Sequence, residues 1–333
     1  MKNALLIPPL IFLLSGGLPA QQNSIPSLGI NLENVEYPFP VHYIRLQIQG
    51  EALKMAYMDI PAEKPNGKTV LLLHGKNFNG AYWEQTAKDL VQNGYRVVIP
   101  DQIGFGKSSK PQRIQYTFQL LAQNTMAILD SLGVAKACVL GHSMGGMLAT
   151  RFALMYPARV EKLILENPIG LEDWKVKVPY QTVDDWYQEE LKQNYAKIKQ
   201  YQLANYYDGK WKPEYDRWAQ LLAGWTTNID YPKLAWNSAL LYDMIFTQPV
   251  CYEFENIQMP TLLLIGQRDK TALGKNKAPE EIRNTLGNYP ALGKITAQKI
   301  KNSQLVELEQ VGHMPHVEAY ERFLQPLLVF LKK

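Results

Sequence analysis

Hydrophobic and polar residues alternate along Val41–Gln49 and again along Leu53–Ile60, with Gly50 between, which predicts the two strands of a hairpin. Farther on, alternation gives way to short apolar runs bounded by turn residues: Thr69–Leu73, Tyr95–Ile99, Ala137–Leu140, Lys162–Leu165, Thr261–Ile265 and Leu305–Leu308. Runs of that length predict strands buried on both faces, as in a parallel sheet. Helical periodicity fills several of the intervals, over Trp83–Gln92, Phe118–Leu132 and Met144–Met155, the last halted by Pro157. Strand and helix in this succession predict an α/β fold with a doubly wound, mostly parallel sheet.

One stretch breaks the rhythm. From Leu171 to Val250 no buried strand is predicted, yet six of the seven tryptophans and nine of the nineteen tyrosines fall there. It reads as a helical, aromatic-rich insertion, dividing a core into residues 21–170 and 251–333. A length of 333 residues, against about 150 per domain, suits two units, although a single α/β domain often runs longer, so length alone leaves one or two open. The first twenty residues are different in kind: Lys2 supplies a positive charge, Ala4–Leu14 an apolar run, and Ser15–Ala20 a small-residue region before Gln21 and Gln22. That is the layout of a secretory signal over residues 1–20, so the protein is expected to be exported, periplasmic or secreted. The apolar run is shorter than the roughly 20 residues of a membrane span and contains Pro8 and Pro9, which disfavours a stable anchor.

Composition narrows the chemistry. The formal charge of +4 is spread along the chain with no basic block, so nucleic acid is not an expected partner. Cys138 and Cys251 are too few for a disulfide scaffold and lack zinc-site spacing. The informative feature is Gly141-His142-Ser143-Met144-Gly145, which follows a predicted strand and opens a predicted helix. A sharp strand-to-helix turn crowds its own backbone, so glycines flank a serine whose hydroxyl projects from the turn, the arrangement of a nucleophile elbow.

A serine hydroxyl needs a positioned base. Of five histidines, His42 lies in the hairpin, His74 reads as a buried tie between loops, and His142 points away from Ser143 inside the elbow. His313 follows the last strand, at the carboxyl end where open α/β sheets place their sites, and is the candidate base; His316 is the alternative. Asp269, at the end of Thr261–Asp269, is the candidate acid, with Glu166 and Asp173 as competitors. The order Ser143, Asp269, His313 suits this fold. Backbone N–H groups of Lys76 and Met144 are the candidate oxyanion donors, with Asn77 the close alternative. A Gly-Lys-Ser at 106–108 is not a phosphate loop, because Asp101 stands where that motif requires glycine.

Taken together, Leu73-His74-Gly75, Pro100–Ser108, Gly141–Gly146, the Asp269 strand end and Gly312-His313-Met314-Pro315 with Glu318 resemble the α/β-hydrolase superfamily. The likeness is to its cap-bearing branch of esterases, cofactor-free haloperoxidases, proline iminopeptidases and C–C bond hydrolases. It implies that Asp101 and Gly104 hold a structural turn and that residues 171–250 form a helical cap, or lid, over the pocket. Three departures stand out. Lys76-Asn77 replaces an apolar residue and proline, so a cation either meets an acidic substrate group or points to solvent. The segment Thr271–Ser303 is long, and forms either another wall of the cleft or a surface excursion. Ser143 also stands where epoxide hydrolases and haloalkane dehalogenases use a carboxylate, which disfavours those activities.

The expectation is therefore a serine hydrolase that cleaves a small carboxylic ester through an acyl-enzyme, with no metal or organic cofactor. Asn77 and the cap residues Trp174, Trp186 and Trp225 are candidates for substrate contact, although the cap aromatics equally suit a small core of their own. The alternatives are an aminopeptidase or other amidase, using acids among Glu166, Glu172, Asp173, Asp184 and Asp185 to hold an amine, a C–C bond hydrolase with the same triad, and a non-catalytic ligand-binding module.

Overall fold

The computed structural model describes residues 25–333; the expected signal over 1–20 lies outside the described residues. Eight strands form one sheet: β1 (Val41–Ile48), β2 (Glu51–Ile60), β3 (Thr69–Leu73), β4 (Arg96–Pro100), β5 (Ala137–His142), β6 (Val160–Glu166), β7 (Thr261–Gly266) and β8 (Ser303–Leu308). Their spatial order is β1-β2-β4-β3-β5-β6-β7-β8. β1 pairs antiparallel with β2, and β2 antiparallel with β4; every other pairing is parallel.

Helices α1 (Glu84–Gln92), α2 (Phe118–Ser131) and α3 (Met144–Met155) lie between the early strands. The interval between β6 and β7 holds α4 (Val183–Glu190), α5 (Tyr195–Asn205), α6 (Asp216–Thr226) and α7 (Tyr231–Thr247), and no strand among the described residues. After β7 come α8 (Glu280–Arg283) and α9 (Tyr289–Lys299), and after β8 come α10 (Pro315–Glu318) and α11 (Tyr320–Lys332).

The continuous apolar runs follow from burial on two faces. Leu71, Leu73, Val139, Leu163 and Leu263 pack with Phe118, Ile128 and Leu148 of α2 and α3. Their neighbours Val70, Leu72, Leu140, Ile164 and Leu262 point the other way, onto Leu90 of α1 and Phe323 and Leu327 of α11. β8 departs from its predicted burial on both faces: as an edge strand it is only partly covered along most of its length. The long segment after Asp269 is a crossover rather than a cleft wall or a simple excursion, since α9 lies on the sheet with Tyr289 buried and its hydroxyl donating to Pro168 O at 3.3 Å.

Residues 25–40 act as a strap between the core and the helices inserted between β6 and β7, the segment expected to form the cap. Leu28 N–H donates to Gly224 O (3.0 Å), and Asn228 Nδ2 and Trp225 Nε1 donate to Leu28 O and Gly29 O at 2.7 and 3.0 Å. At its core end, Leu32 O accepts from Lys107 Nζ at 2.6 Å and Tyr37 O–H donates to Asp101 at 2.7 Å. Asp101 also accepts from the N–H groups of Gly80 and Lys107, both at 2.7 Å, so it gathers three segments into one turn.

Candidate active site

β3 and β5 are adjacent, but the chain leaves β3 toward β4 on one side and returns to β5 on the other. A parallel sheet opens a crevice at the carboxyl ends of its strands at such a reversal. The loop after β3, Gly75–Asn77, and the turn after β5, at Ser143, are therefore neighbours. A Cβ built on Gly75 would lie 3.0 Å from Ser143 Cβ.

Ser143 has φ 57° and ψ −122°, a positive-φ backbone that costs a non-glycine residue about 1–3 kcal/mol. Its surroundings hold it there. Its N–H donates to Glu166 O (3.2 Å), and its carbonyl accepts from Gly146 N–H (2.9 Å) and Ile169 N–H (3.2 Å). Close approach explains two glycines: a Cβ at Gly145 would sit 2.2 Å from Leu73 O, and one at Gly141 would sit 2.1 Å from Gly145 O. Met144 begins α3, and neither its N–H nor that of Lys76 donates to a described group.

His313 and Asp269 meet in the interior, with Nδ1 2.6 Å from Oδ2 and both side chains inaccessible to water. Asp269 Oδ2 also accepts from Asn167 Nδ2 (2.8 Å) and Oδ1 from Thr271 N–H (2.8 Å), so both oxygens are held. The opposite ring nitrogen, Nε2, is buried and has no hydrogen-bond partner among the described residues. Tyr206 of the cap covers this histidine: its ring stacks on the imidazole at 4.5 Å and 26°, and its carbonyl accepts from His313 N–H at 3.0 Å.

The competing residues form a second pair. Glu166 Oε1 accepts from the backbone N–H of His316 (2.9 Å) and lies 2.8 Å from its Nδ1, while the His316 ring stacks on Trp83 at 4.4 Å. Burial and neighbouring histidines hold the His142 pKa well below its usual value, so the ring is neutral near pH 7. Its Nε2–H donates to His313 O (2.8 Å), which leaves Nδ1 to accept from Tyr82 O–H (3.1 Å). Tyr82 oxygen in turn accepts from Gly75 N–H (2.9 Å), so His142 joins the loop after β3 to the loop after β8. His74 works in the same way: Gln102 N–H donates to its Nε2 (3.0 Å), and its Nδ1–H donates to Gly75 O (2.9 Å).

Beside this cluster, between the Gly75–Asn77 loop and the cap, is a cleft of about 960 Å³ including its open mouth. Lys76, Asn77, Gln202, Trp225, Ser238 and Tyr242 are on its wall. Ser143 and His313 are not; Tyr206, whose hydroxyl accepts from Asn77 Nδ2 at 2.9 Å, links the wall to the histidine. Lys76 does not point to solvent. Its Nζ donates to Ser238 Oγ at 2.6 Å and sits 3.4 Å from the centre of the Tyr242 ring, and burial pushes its pKa down to about 8.

Of the candidate substrate contacts, Asn77 and Trp225 are on the wall, whereas Trp174 is packed in the core with Leu171 and Val178. Trp186 lies behind the wall, stacked on Tyr242 at 4.6 Å. The helical insertion gives no sign of which tryptophan faces inward, because its turns and caps reset the helix phase. Tyr206 and Gln202 were missed for the same reason; the only signal was the density of tyrosines.

A family model described as alpha/beta hydrolase fold matches residues 68–320. The chain belongs to the α/β-hydrolase family. A structure of a probable hydrolytic enzyme from Pseudomonas aeruginosa PAO1 is similar over 93% of this chain and 99% of that one, at 55% identity and a TM-score of 0.92. Lipase 1 of Psychrobacter immobilis is 26% identical over 90% of this chain and 88% of its own length. The 2-hydroxy-6-oxo-6-phenylhexa-2,4-dienoate hydrolase of Burkholderia cepacia is 38% identical, over 32% of this chain and 38% of its own. These relatives of the α/β-hydrolase chain are hydrolases. Among its described residues, no helix is long and apolar enough to cross a membrane and no group of three or more His, Cys, Asp or Glu side chains is placed to hold a metal ion.

Proposed function

We propose that this α/β-hydrolase is an exported serine esterase, with Ser143 as nucleophile, His313 as base and Asp269 as the carboxylate that orients it. The observation that carries the reading is the pair of constraints on the serine and the histidine. Ser143 is held at positive φ at the end of β5, while Asp269 engages Nδ1 of His313 at 2.6 Å and leaves Nε2 unengaged among the described residues. An imidazole held with its proton on Nδ1 has a free lone pair at Nε2 to accept the serine proton.

In the proposed reaction, His313 Nε2 takes the Ser143 proton as Oγ attacks the ester carbonyl. The N–H groups of Lys76 and Met144 receive the developing oxyanion, and the macrodipole of α3 favours charge at that point. His313 then gives the proton to the leaving alkoxide, and water attacks the acyl-Ser143 ester with His313 again as base. Asp269 balances the imidazolium in both halves of the cycle.

An amine-binding role has less support. Glu166 is committed to His316, Glu172 to Lys177 and Gly287 N–H, Asp173 to Tyr252, and Asp185 to the capping box of α4. Asp184 is exposed, and the acid on the cleft wall is a different one, Glu190. Turnover of para-nitrophenyl esters, with less than about one-hundredth of that rate on matched aminoacyl anilides, is the expected result. Ser143→Ala should abolish both turnover and labelling by a fluorophosphonate; a variant that still cleaves ester overturns the mechanism.

A further inference from the structure

The cleft has an unusual cation. Lys76 is half-buried on its wall, with Nζ on the Tyr242 ring and Ser238 Oγ, and it makes no ion pair among the described residues. A cation shielded from water, with no carboxylate at ion-pair distance and only the more distant Glu190 acting on it, is a prepared site for an anion, because its field is screened least there. The cleft holds a second open valence. Gln202, 1% exposed at the end of α5, lines the same cavity, and neither its Nε2 nor its Oε1 has a hydrogen-bond partner among the described residues. Buried carboxamides are ordinarily satisfied, so this one calls for a partner that the protein itself does not supply. Much of the rest of the wall is apolar or aromatic, including Phe105, Ile198, Leu234 and Trp225, with Asn77 and Gln193 as further polar side chains. The other charges on the wall are Glu190, which acts on Lys76, and Lys197, so the wall carries two cations against one carboxylate.

We propose that the cleft takes an ester bearing a carboxylate, with Lys76 Nζ as its counter-ion and the Gln202 carboxamide as a second hydrogen-bonding group. This rests on the esterase reading and deepens it. The same residue presents its backbone N–H at the proposed oxyanion position and its ammonium in the cleft, so the carboxylate and the scissile carbonyl are about one lysine side chain apart. A short half-ester of a dicarboxylic acid has that spacing.

The test compares the para-nitrophenyl half-ester of glutaric acid with its isosteric terminal amide, and, for a charge on the alcohol side, an acetate ester of hydroxybutanoate with the corresponding amide. One charge-assisted hydrogen bond corresponds to a preference of about 30-fold in kcat/KM for the acid in at least one pair, expressed mainly in KM. In Lys76→Met the acid-to-amide ratio should fall to within about threefold of unity, and Lys76→Arg should recover part of it. Because each ratio is taken within one variant, a general loss of activity cancels. Gln202→Leu should lower the ratio by a smaller factor. Equal turnover of acid and amide by the native enzyme overturns the carboxylate inference and leaves the esterase reading standing. Calorimetric binding to Ser143→Ala separates the two further: tight binding of the acid alone, with no turnover by the native protein, would uphold the anion site and overturn the esterase.

Discussion

Two buried histidine–carboxylate pairs lie at the ends of adjacent strands, and replacing each acid by its amide should separate them sharply. Asp269 uses both oxygens against three donors: His313 and Asn167 on Oδ2, and Thr271 N–H on Oδ1. In Asp269→Asn the amide must either set its NH₂ against Thr271 N–H or turn it toward His313 and Asn167. The first orientation removes the charge that stabilises the imidazolium; the second makes Nδ1 an acceptor, moving the ring proton to Nε2, where it blocks proton uptake from Ser143. Both point to a loss of about 10⁴-fold in kcat, equivalent to roughly 5 kcal/mol of transition-state stabilisation. Glu166 differs, because Oε1 alone accepts both His316 donors and Oε2 has no described partner. A carboxamide in its place can keep its carbonyl at the Oε1 position, so Glu166→Gln is expected to lose no more than ~3-fold in kcat and about 1–3 kcal/mol of stability from its buried, unpaired NH₂. Stopped-flow release of para-nitrophenol, with calorimetric unfolding of each variant, measures both quantities. A fall in kcat of less than about tenfold for Asp269→Asn, or a larger fall for Glu166→Gln, would refute the assignment of the acid.

Other outcomes follow from the same geometry. Lys76 is pushed down to about 8 by burial and partly restored by Glu190, while Tyr201, Tyr231 and Tyr242 are raised by burial and stay neutral. The ammonium is therefore present below that pH and lost above it, so kcat/KM for the glutarate half-ester should fall above about pH 8 relative to the amide; parallel profiles would count against it. Gly145→Ala forces a methyl to 2.2 Å from Leu73 O and should cost about 3 kcal/mol or more, lowering Tm by at least ~6 °C in scanning calorimetry; an unchanged Tm would mean that the elbow shifts freely. If the chain is exported, Edman sequencing of protein from the extracytoplasmic fraction should begin within a few residues of Gln21, and retention of Met1 would contradict the export signal.

Most of the core was readable because its periods are simple. Strands β3, β5, β6 and β7 are continuous apolar runs since both their faces are covered, and the elbow announces itself through glycines that admit no Cβ. The acids were harder. Glu166 and Asp269 both end adjacent parallel strands, and only the loops that follow decide which histidine each one meets; Asn167, at φ 35° and accepting from Gly266 N–H, is part of that decision. The cap was least readable, because its aromatics serve opposite purposes. Trp174 fills the core, Trp186 props Tyr242 and Trp225 lines the cleft, a division set by helix phase and packing rather than by residue type.

The strap has a mechanical consequence. A plate joined to its base by two chain crossings can swing about the line through them, whereas a third attachment off that line removes the hinge. Residues 25–40 add such an attachment to those made by Tyr206 with His313 and by Ser238 with Lys76, gripping Gly224, Trp225 and Asn228 at one end and the Asp101 turn at the other. Any swing of the helices inserted between β6 and β7 away from the sheet would therefore have to break the strap's hydrogen bonds at one end or the other.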